Sequence, residues 1–238
     1  MSEALTAELA DAEPEAELIT LLRRLDDVLE RLREKRYPQA TKLAATLEPV
    51  GTFEPAALQH GVAILERSGR ELSQGKAAEA LALLEQPAPP LLAAEHETQR
   101  GTAYVFLAET ETAESAFKRA AELDPKHYRA LTNLGNLLLE EGRTDEAIAL
   151  YERAIRLNED FPNAHHNLGV AYRRKGQVNK SVAAIRHAQK VSRRRDSEEA
   201  RVVVRSIAGT QGRKYFKWAL YGAAALALYF LLKSQGVI

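Results

Sequence analysis

Three glycines, Gly101, Gly135 and Gly169, stand 34 residues apart, and the positions around them keep the same step. Ala113, Ala147 and Ser181 repeat at that interval, as do Ala120, Ala154 and Ala188. Two larger positions follow: Tyr104, Leu138 and Tyr172, then Phe117, Tyr151 and Ile185. Self-similarity at such a period is the mark of stacked supersecondary units. The period accommodates two helices of about 13 residues joined by a tight turn. Small residues leave room where the two helices approach, and the large ones beside them fill the gaps. Gly142 and Gly176 are placed to take the left-handed conformation that closes a helix, and Asp145 and Asn179 to help start the next. One such hairpin cannot bury its apolar face alone, so neighbours must stack.

The pattern resembles the tetratricopeptide repeat (TPR) family. Residues 130–160, ALTNLGNLLLEEGRTDEAIALYERAIRLNED, look like a regular member, and NAHHNLGVAYRRKGQVNKSVAAIRHAQK is nearly as close. The first copy keeps its glycine, tyrosine, alanine and phenylalanine positions and ends in Pro125, but has Glu97 and Arg100 at the first apolar pair and Ala108 in place of the turn glycine. The third has Arg193 where the family has proline, which lets its last helix run on. The repeats are 94–127, 128–161 and 162–195, within a domain of residues 92–195. The resemblance implies a superhelix whose concave face, lined by the first helix of each pair, binds a protein or peptide. The positions it assigns to that face are Thr98 and Thr102, then Arg129, Thr132, Asn133, Asn136 and Glu140, then Asn163, His166, Asn167, Val170, Arg173 and Arg174. Asparagine offers both a donor and an acceptor to an extended backbone, and Arg173 suits a carboxylate. Some family members clamp a C-terminal carboxylate with two lysines, an arginine and an asparagine. Here Thr98 and Asn163 stand for the lysines and Asn167 for the arginine, so that clamp is not expected.

The rest of the chain also reads as helix. Residues 1–13 are acidic and expected to form a mobile tail. Leu18, Leu22, Leu25, Leu29 and Leu32 are spaced as one helical stripe, too short for a coiled-coil seam and long enough to pack on neighbours. Further helices are expected over Tyr37–Leu47 and Pro55–Gln74, the latter capped by Thr52 and ended by Gly75, and over AAEALALLEQ, closed by Pro87, Pro89 and Pro90. Gly75, Ala80 and Leu84, and more faintly Tyr37, Ala40 and Ala44, keep the spacing of a repeat. Residues 14–91 are therefore read as two degenerate hairpins. No stretch before residue 200 alternates like a strand, so the fold class is all-α.

The C-terminal end changes character. Trp218 to Leu232 are fifteen residues without a charge. As a helix they span about 23 Å at ~1.5 Å per residue, against a hydrocarbon core of ~30 Å. Adding Tyr215, Phe216 and the snorkelling stems of Lys217 and Lys233 brings this to roughly 28 Å. A basic linker helix, residues 196–213, begun by Ser197 and followed by a joint at Gly209 and Gly212, would lead into a transmembrane helix over 214–233 and a short tail over 234–238. Arg213, Lys214, Lys217, Trp218 and Lys233 are expected at the membrane interface. The excess of bases before the apolar run places the N-terminal side in the cytosol and suits anionic lipid. The alternative is a soluble oligomer in which the apolar C-terminal helices pair between subunits.

Composition sets limits. Acids and bases balance at 33 each, so no nucleic-acid partner is expected. The chain has no cysteine, which removes disulfides, thiolate metal sites and cysteine nucleophiles. The acidic N-terminus lacks the features of a secretory signal or transit peptide. His165 and His166 are adjacent and point to different sides of a helix, so no shared metal is expected, and His165 is expected to pack between helices. No cofactor-binding or catalytic pattern occurs, which leaves an enzyme as a second alternative. The expected molecule is a single-pass, membrane-anchored scaffold that recruits a partner or assembles a complex. An Ala-, Leu- and Arg-rich chain favours a bacterial inner membrane, although tail-anchored adaptors of eukaryotic organelles share the layout.

Overall fold

One backbone turn recurs five times and makes the chain a row of helical hairpins. In each turn a residue with positive φ follows the first helix: Lys35 (60°), Gly75 (76°), Ala108 (60°), Gly142 (83°) and Gly176 (74°). The amide after it reaches back five residues. Arg36 N donates to Arg31 O at 2.8 Å, Glu109 N to Tyr104 O at 2.9 Å and Arg143 N to Leu138 O at 2.8 Å. This is the Schellman closure, which satisfies carbonyls that a helix end would otherwise leave unpaired. Five residues after the left-handed residue comes a buried small side chain: Ala40, Ala80, Ala113, Ala147 and Ser181. The two upstream hairpins expected to be degenerate therefore share the register of the regular ones.

The computed structural model describes residues 2–51 and 53–210. Its helices are α1 (Ser2–Arg33), α2 (Tyr37–Ala44), α3 (Pro55–Ser73), α4 (Ala77–Leu83), α5 (Ala93–Phe106), α6 (Thr110–Leu123), α7 (Tyr128–Glu140), α8 (Thr144–Leu157), α9 (Pro162–Arg174) and α10 (Val178–Thr210). A short 3₁₀ turn, Pro90–Leu92, precedes α5. Among the described residues there is no strand, only an isolated bridge between Val50 and Phe53. The fold is an all-helical, TPR-like solenoid. The chain divides into two units, residues 1–186 and 187–238.

In the first unit, α1 to α4 enclose one core, with Leu25, Val28, Leu32, Val62 and Leu65 at its centre. The later hairpins enclose another, around Phe117, Leu134, Leu138, Tyr151 and Leu168. The second unit holds the later part of α10, where Arg194 Nε donates to Glu198 Oε1 at 3.1 Å, one helical turn on.

Four sequence expectations change. Residues 2–13 belong to α1 in place of a tail; Ala, Leu and Glu are strong helix formers. The leucine stripe of α1 is split: Leu25 and Leu32 are buried, but Leu18 and Leu22 are 49% and 56% exposed, because the inward face runs through Leu21, Leu25, Val28 and Leu32. α10 passes through Ser197 and Gly209 without a new start or a joint, and the last repeat helix does run on past Arg193. The cap of α3 is Glu54, Thr52 lying outside the described residues. The segment expected to cross a membrane, 214–233, and its interface residues Arg213, Lys214, Lys217, Trp218 and Lys233 also lie outside them. Among the described residues no helix is long and apolar enough to cross a membrane.

Candidate protein-interaction groove

The first helices of successive hairpins, α5, α7 and α9, present equivalent positions side by side. Three of these positions, 34 residues apart, are Glu95, Arg129 and Asn163. The first two face each other and form a buried ion pair. Arg129 Nη1 lies 3.1 Å from Glu95 Oε2, and both side chains are almost fully buried. Glu95 also receives hydrogen bonds from Tyr37 Oη (2.6 Å), Gln99 Nε2 (3.2 Å) and the His127 ring (2.9 Å to Nε2). His127 Nδ1 accepts from Ala130 N at 3.3 Å, so the ring bridges the start of α7 and Glu95.

Burial alone would raise the Glu95 pKa, but the Arg129 guanidinium and the His127 bond outweigh it and hold the carboxyl at about 2. Burial beside the same carboxylate pushes the Tyr37 phenol upward. Burial and the neighbouring Arg129 charge lower the pKa of Lys35.

The cluster fastens the first hairpin to the repeats. Arg129 Nη1 donates to Leu32 O at 3.0 Å, across 97 residues of sequence. Arg33 Nε donates to Asp124 Oδ2 at 2.8 Å, across 91. The turn between α1 and α2 is thereby seated against α5 and α7.

This seating divides the residues that the sequence assigned to the concave face. Arg129 and Thr132 are buried and committed internally, Arg129 as above and Thr132 through Oγ1 to Tyr128 O at 2.8 Å. They are not free contact positions, because the first hairpin covers this stretch and Thr132 bonds its own helix. Thr98, one repeat earlier, is likewise buried and bonded to Ala94 O, while Thr102 is half-buried and bonded to Thr98 O. Asn136 and Asn167 are brought together: Asn136 Oδ1 accepts from Asn167 Nδ2 at 2.7 Å and from Tyr151 Oη at 2.8 Å. Arg174 donates to Leu139 O and so ties α9 to α7. Asn133 and Val170 are half-buried, and Glu140, Asn163, His166 and Arg173 are exposed. The accessible face is therefore carried mostly by α9. His165 packs inward as expected, its Nε2 2.8 Å from Glu159 O.

Two clefts adjoin these helices. One, of about 590 Å³, is lined by Lys35, Tyr37, Pro38, Glu66, Arg70, Leu72, Thr102, Phe106 and Arg129. The other, of about 620 Å³, opens where Glu97 and Arg100 replace the apolar pair of a regular repeat. There Arg100 Nη1 donates to Glu97 Oε1 at 3.0 Å and Nη2 to Tyr104 Oη at 3.3 Å, in place of a packed seam. Among the described residues no group of three or more His, Asp or Glu is arranged to hold a metal ion.

The TPR family, by its several repeat descriptions, matches residues 98–127, 116–149, 135–176 and 162–195. The helical hairpins of residues 98–195 are tetratricopeptide repeats. These bounds agree with the 34-residue register. Among solved structures, the chain is similar to a crystal structure of MamA at 21% identity, covering 71% of this chain and 95% of that one, with a TM-score of 0.49. A second crystal structure of MamA gives 19% identity, 75% and 94% coverage and a TM-score of 0.47. The MamA RS-1 ArsTM double mutant gives 14%, 74% and 97%, and 0.47. No curated protein matches the chain.

The buried cluster of Tyr37, Glu95, Gln99 and His127 was not singled out from sequence. One signal was available: Glu95 and Arg129 are opposite charges one period apart, and stacked repeats place such positions next to each other.

Proposed function

We propose that the chain is a scaffold that grips a segment of a partner protein along the face of α7 and α9 and holds it near a membrane through residues 214–233. The observation that carries the groove reading is the row of polar side chains on this face, Asn133, Asn163, His166 and Arg173, beside Asn136 and Asn167. The Nδ2 group of Asn136 and the side chains of Asn133 and Arg173 supply donors to a peptide backbone or a carboxylate. Affinity purification from solubilised membranes tests it. Asn133→Ala with Arg173→Ala should lose partners that the wild type retains, and identical partner sets would refute the groove.

The anchor reading rests on the uncharged run from Trp218 to Leu232 and the bases that precede it. It implies a single pass with the repeats on the cytosolic side, in a bacterial inner membrane. The basic stretch would then contact anionic headgroups. Carbonate extraction checks this: the protein should stay in the pellet, and release into the supernatant would sink the integral anchor. A monodisperse dimer without detergent would support pairing of the apolar helices between subunits in its place.

A further inference from the structure

We propose that the 590 Å³ cleft between the α1–α2 turn, α3 and α5 is the anchor pocket for an acidic side chain of a partner peptide, a Glu or Asp followed by a large apolar residue. This rests on the groove reading and names the chemistry that the groove selects. Three cations line the cleft, Lys35, Arg70 and Arg129, against one carboxylate, Glu66. That carboxylate is already engaged: it accepts from Thr41 Oγ1 and, at 3.5 Å, from Arg70 Nη2. Glu95 is occupied with Arg129, His127 and Tyr37. Lys35 is left over. Its ammonium makes no side-chain hydrogen bond or ion pair among the described residues.

Lys35 is also held where lysine is unfavourable. It takes the left-handed turn conformation at φ 60°, which favours glycine, and it faces the like charge of Arg129, offset in part by Glu95. An incoming carboxylate relieves that repulsion and accepts charge-assisted hydrogen bonds from Lys35 and Arg70. The remaining walls are apolar: Tyr37, Pro38, Leu72 and Phe106, the last 57% exposed. They fit a large apolar side chain next to the acid. Thr102, one of the positions assigned to the concave face, also lines this cleft.

The test uses the full chain in detergent and fluorescence anisotropy with labelled octapeptide pools. All are N-acetylated and carry at their centre Glu-Leu, Gln-Leu or Lys-Leu with uncharged residues elsewhere. These three are C-amidated, and a second Gln-Leu pool has a free C-terminus. The Glu-Leu pool should bind at least ten-fold tighter than the amidated Gln-Leu pool, and the gap should shrink with added salt. Lys35→Gln with Arg70→Gln should abolish the difference, whereas Lys35→Arg should keep it; the melting temperature of each variant verifies the fold. Equal binding of all pools would overturn the acidic pocket and leave the groove reading standing, and failure of every pool to bind would overturn both. A free-terminus Gln-Leu pool as tight as Glu-Leu would overturn the side-chain assignment. Lys35- and Arg70-dependent sedimentation with phosphatidylserine vesicles, without a preference among pools, would assign the cations to lipid and overturn it too.

Discussion

Glu95 is a buried carboxylate with four partners from three parts of the chain, and its worth depends on all of them staying in place. Its pKa is lowered from an ordinary value of 4.5 to about 2 on folding. A depressed acid stabilises the fold fully above its unfolded pKa and loses that contribution as pH falls through the folded value. Wild-type stability should therefore decline between about pH 4.5 and pH 2. Glu95→Gln leaves Arg129 buried without a counter-charge, which costs about 3–5 kcal/mol. Urea midpoints should show that loss at pH 7, and the gap from wild type should narrow toward pH 2; a constant gap would refute the assignment. Two other residues carry strain or crowding. Ala108 sits at φ 60° where three of the other turns have glycine. Relief of about 1–2 kcal/mol of left-handed strain, less the added entropy of an unfolded glycine, makes Ala108→Gly stabilising by roughly 0.5–1 kcal/mol. Gly135 faces the Tyr151 ring, and a Cβ there would lie 2.7 Å from Cε1. Gly135→Ala should destabilise by about 1–3 kcal/mol in the same urea assay.

At the scale of the helix pair, what repeats is a sum of sizes as much as a list of residues. Gly101 packs on Phe117, Gly135 on Tyr151 and Gly169 on Ile185. The same two positions hold Ser68 and Leu84 in the α3–α4 hairpin, and Val28 and Ala44 in the α1–α2 hairpin. In the first hairpin the large residue has moved to the first helix and the small one to the second, and both remain buried in one core. Counting glycines finds three repeats; counting volume finds five. This is why the repeat register of residues 92–195 was legible while 14–91 yielded helices without one. Helix ends show the same limit. Proline at 125 suggested the stop of α6, yet the shared device is an Asx turn: Asp124 Oδ1 accepts from Lys126 N, and Asn158 Oδ1 from Asp160 N, each at 3.0 Å. The next position in that series is Ser192, where α10 continues. Ser192→Asn with Arg193→Pro should stop α10 there, since an interior proline costs about 3 kcal/mol or more. Hydrogen exchange should then show lost protection in the first turn after residue 192 and unchanged protection in α7 to α9.

Over the whole of residues 1–186, a repeat array is ordinarily quasi-one-dimensional, each hairpin touching only its neighbours. This one departs from that rule at hydrogen bonds that skip a hairpin, Tyr37 Oη to Glu95 Oε1 among them. Arg33 with Asp124 and Arg129 with Leu32 O connect the first hairpin to the third and fourth. Such ties were out of reach of periodicity, which reports equivalence between repeats and not the path of a turn at the end of the row. They alter how the array should unfold. Without them the two apolar cores, one around Val62 and one around Tyr151, would be joined mainly through the small apolar seam of Leu72, Ala77, Ala80 and Ala103, beside the polar pair Glu97 and Arg100, and should melt more independently. With them, opening the first core also breaks a bond to α7. Wild type should therefore show one cooperative urea transition, with hydrogen exchange in α3 and in α7 rising at the same denaturant concentration. Arg33→Ala with Tyr37→Phe removes the ion pair to Asp124 and one bond to Glu95 while keeping the Glu95–Arg129 pair. In that variant Arg129 to Leu32 O is the only one of these ties that remains, so α3 should exchange at lower urea than α7, which should keep its wild-type midpoint to within about 0.5 kcal/mol, as expected of sites that couple only weakly. Coincident loss of protection in both helices would show that the apolar seam, and not the first hairpin, is what makes the array a single cooperative unit.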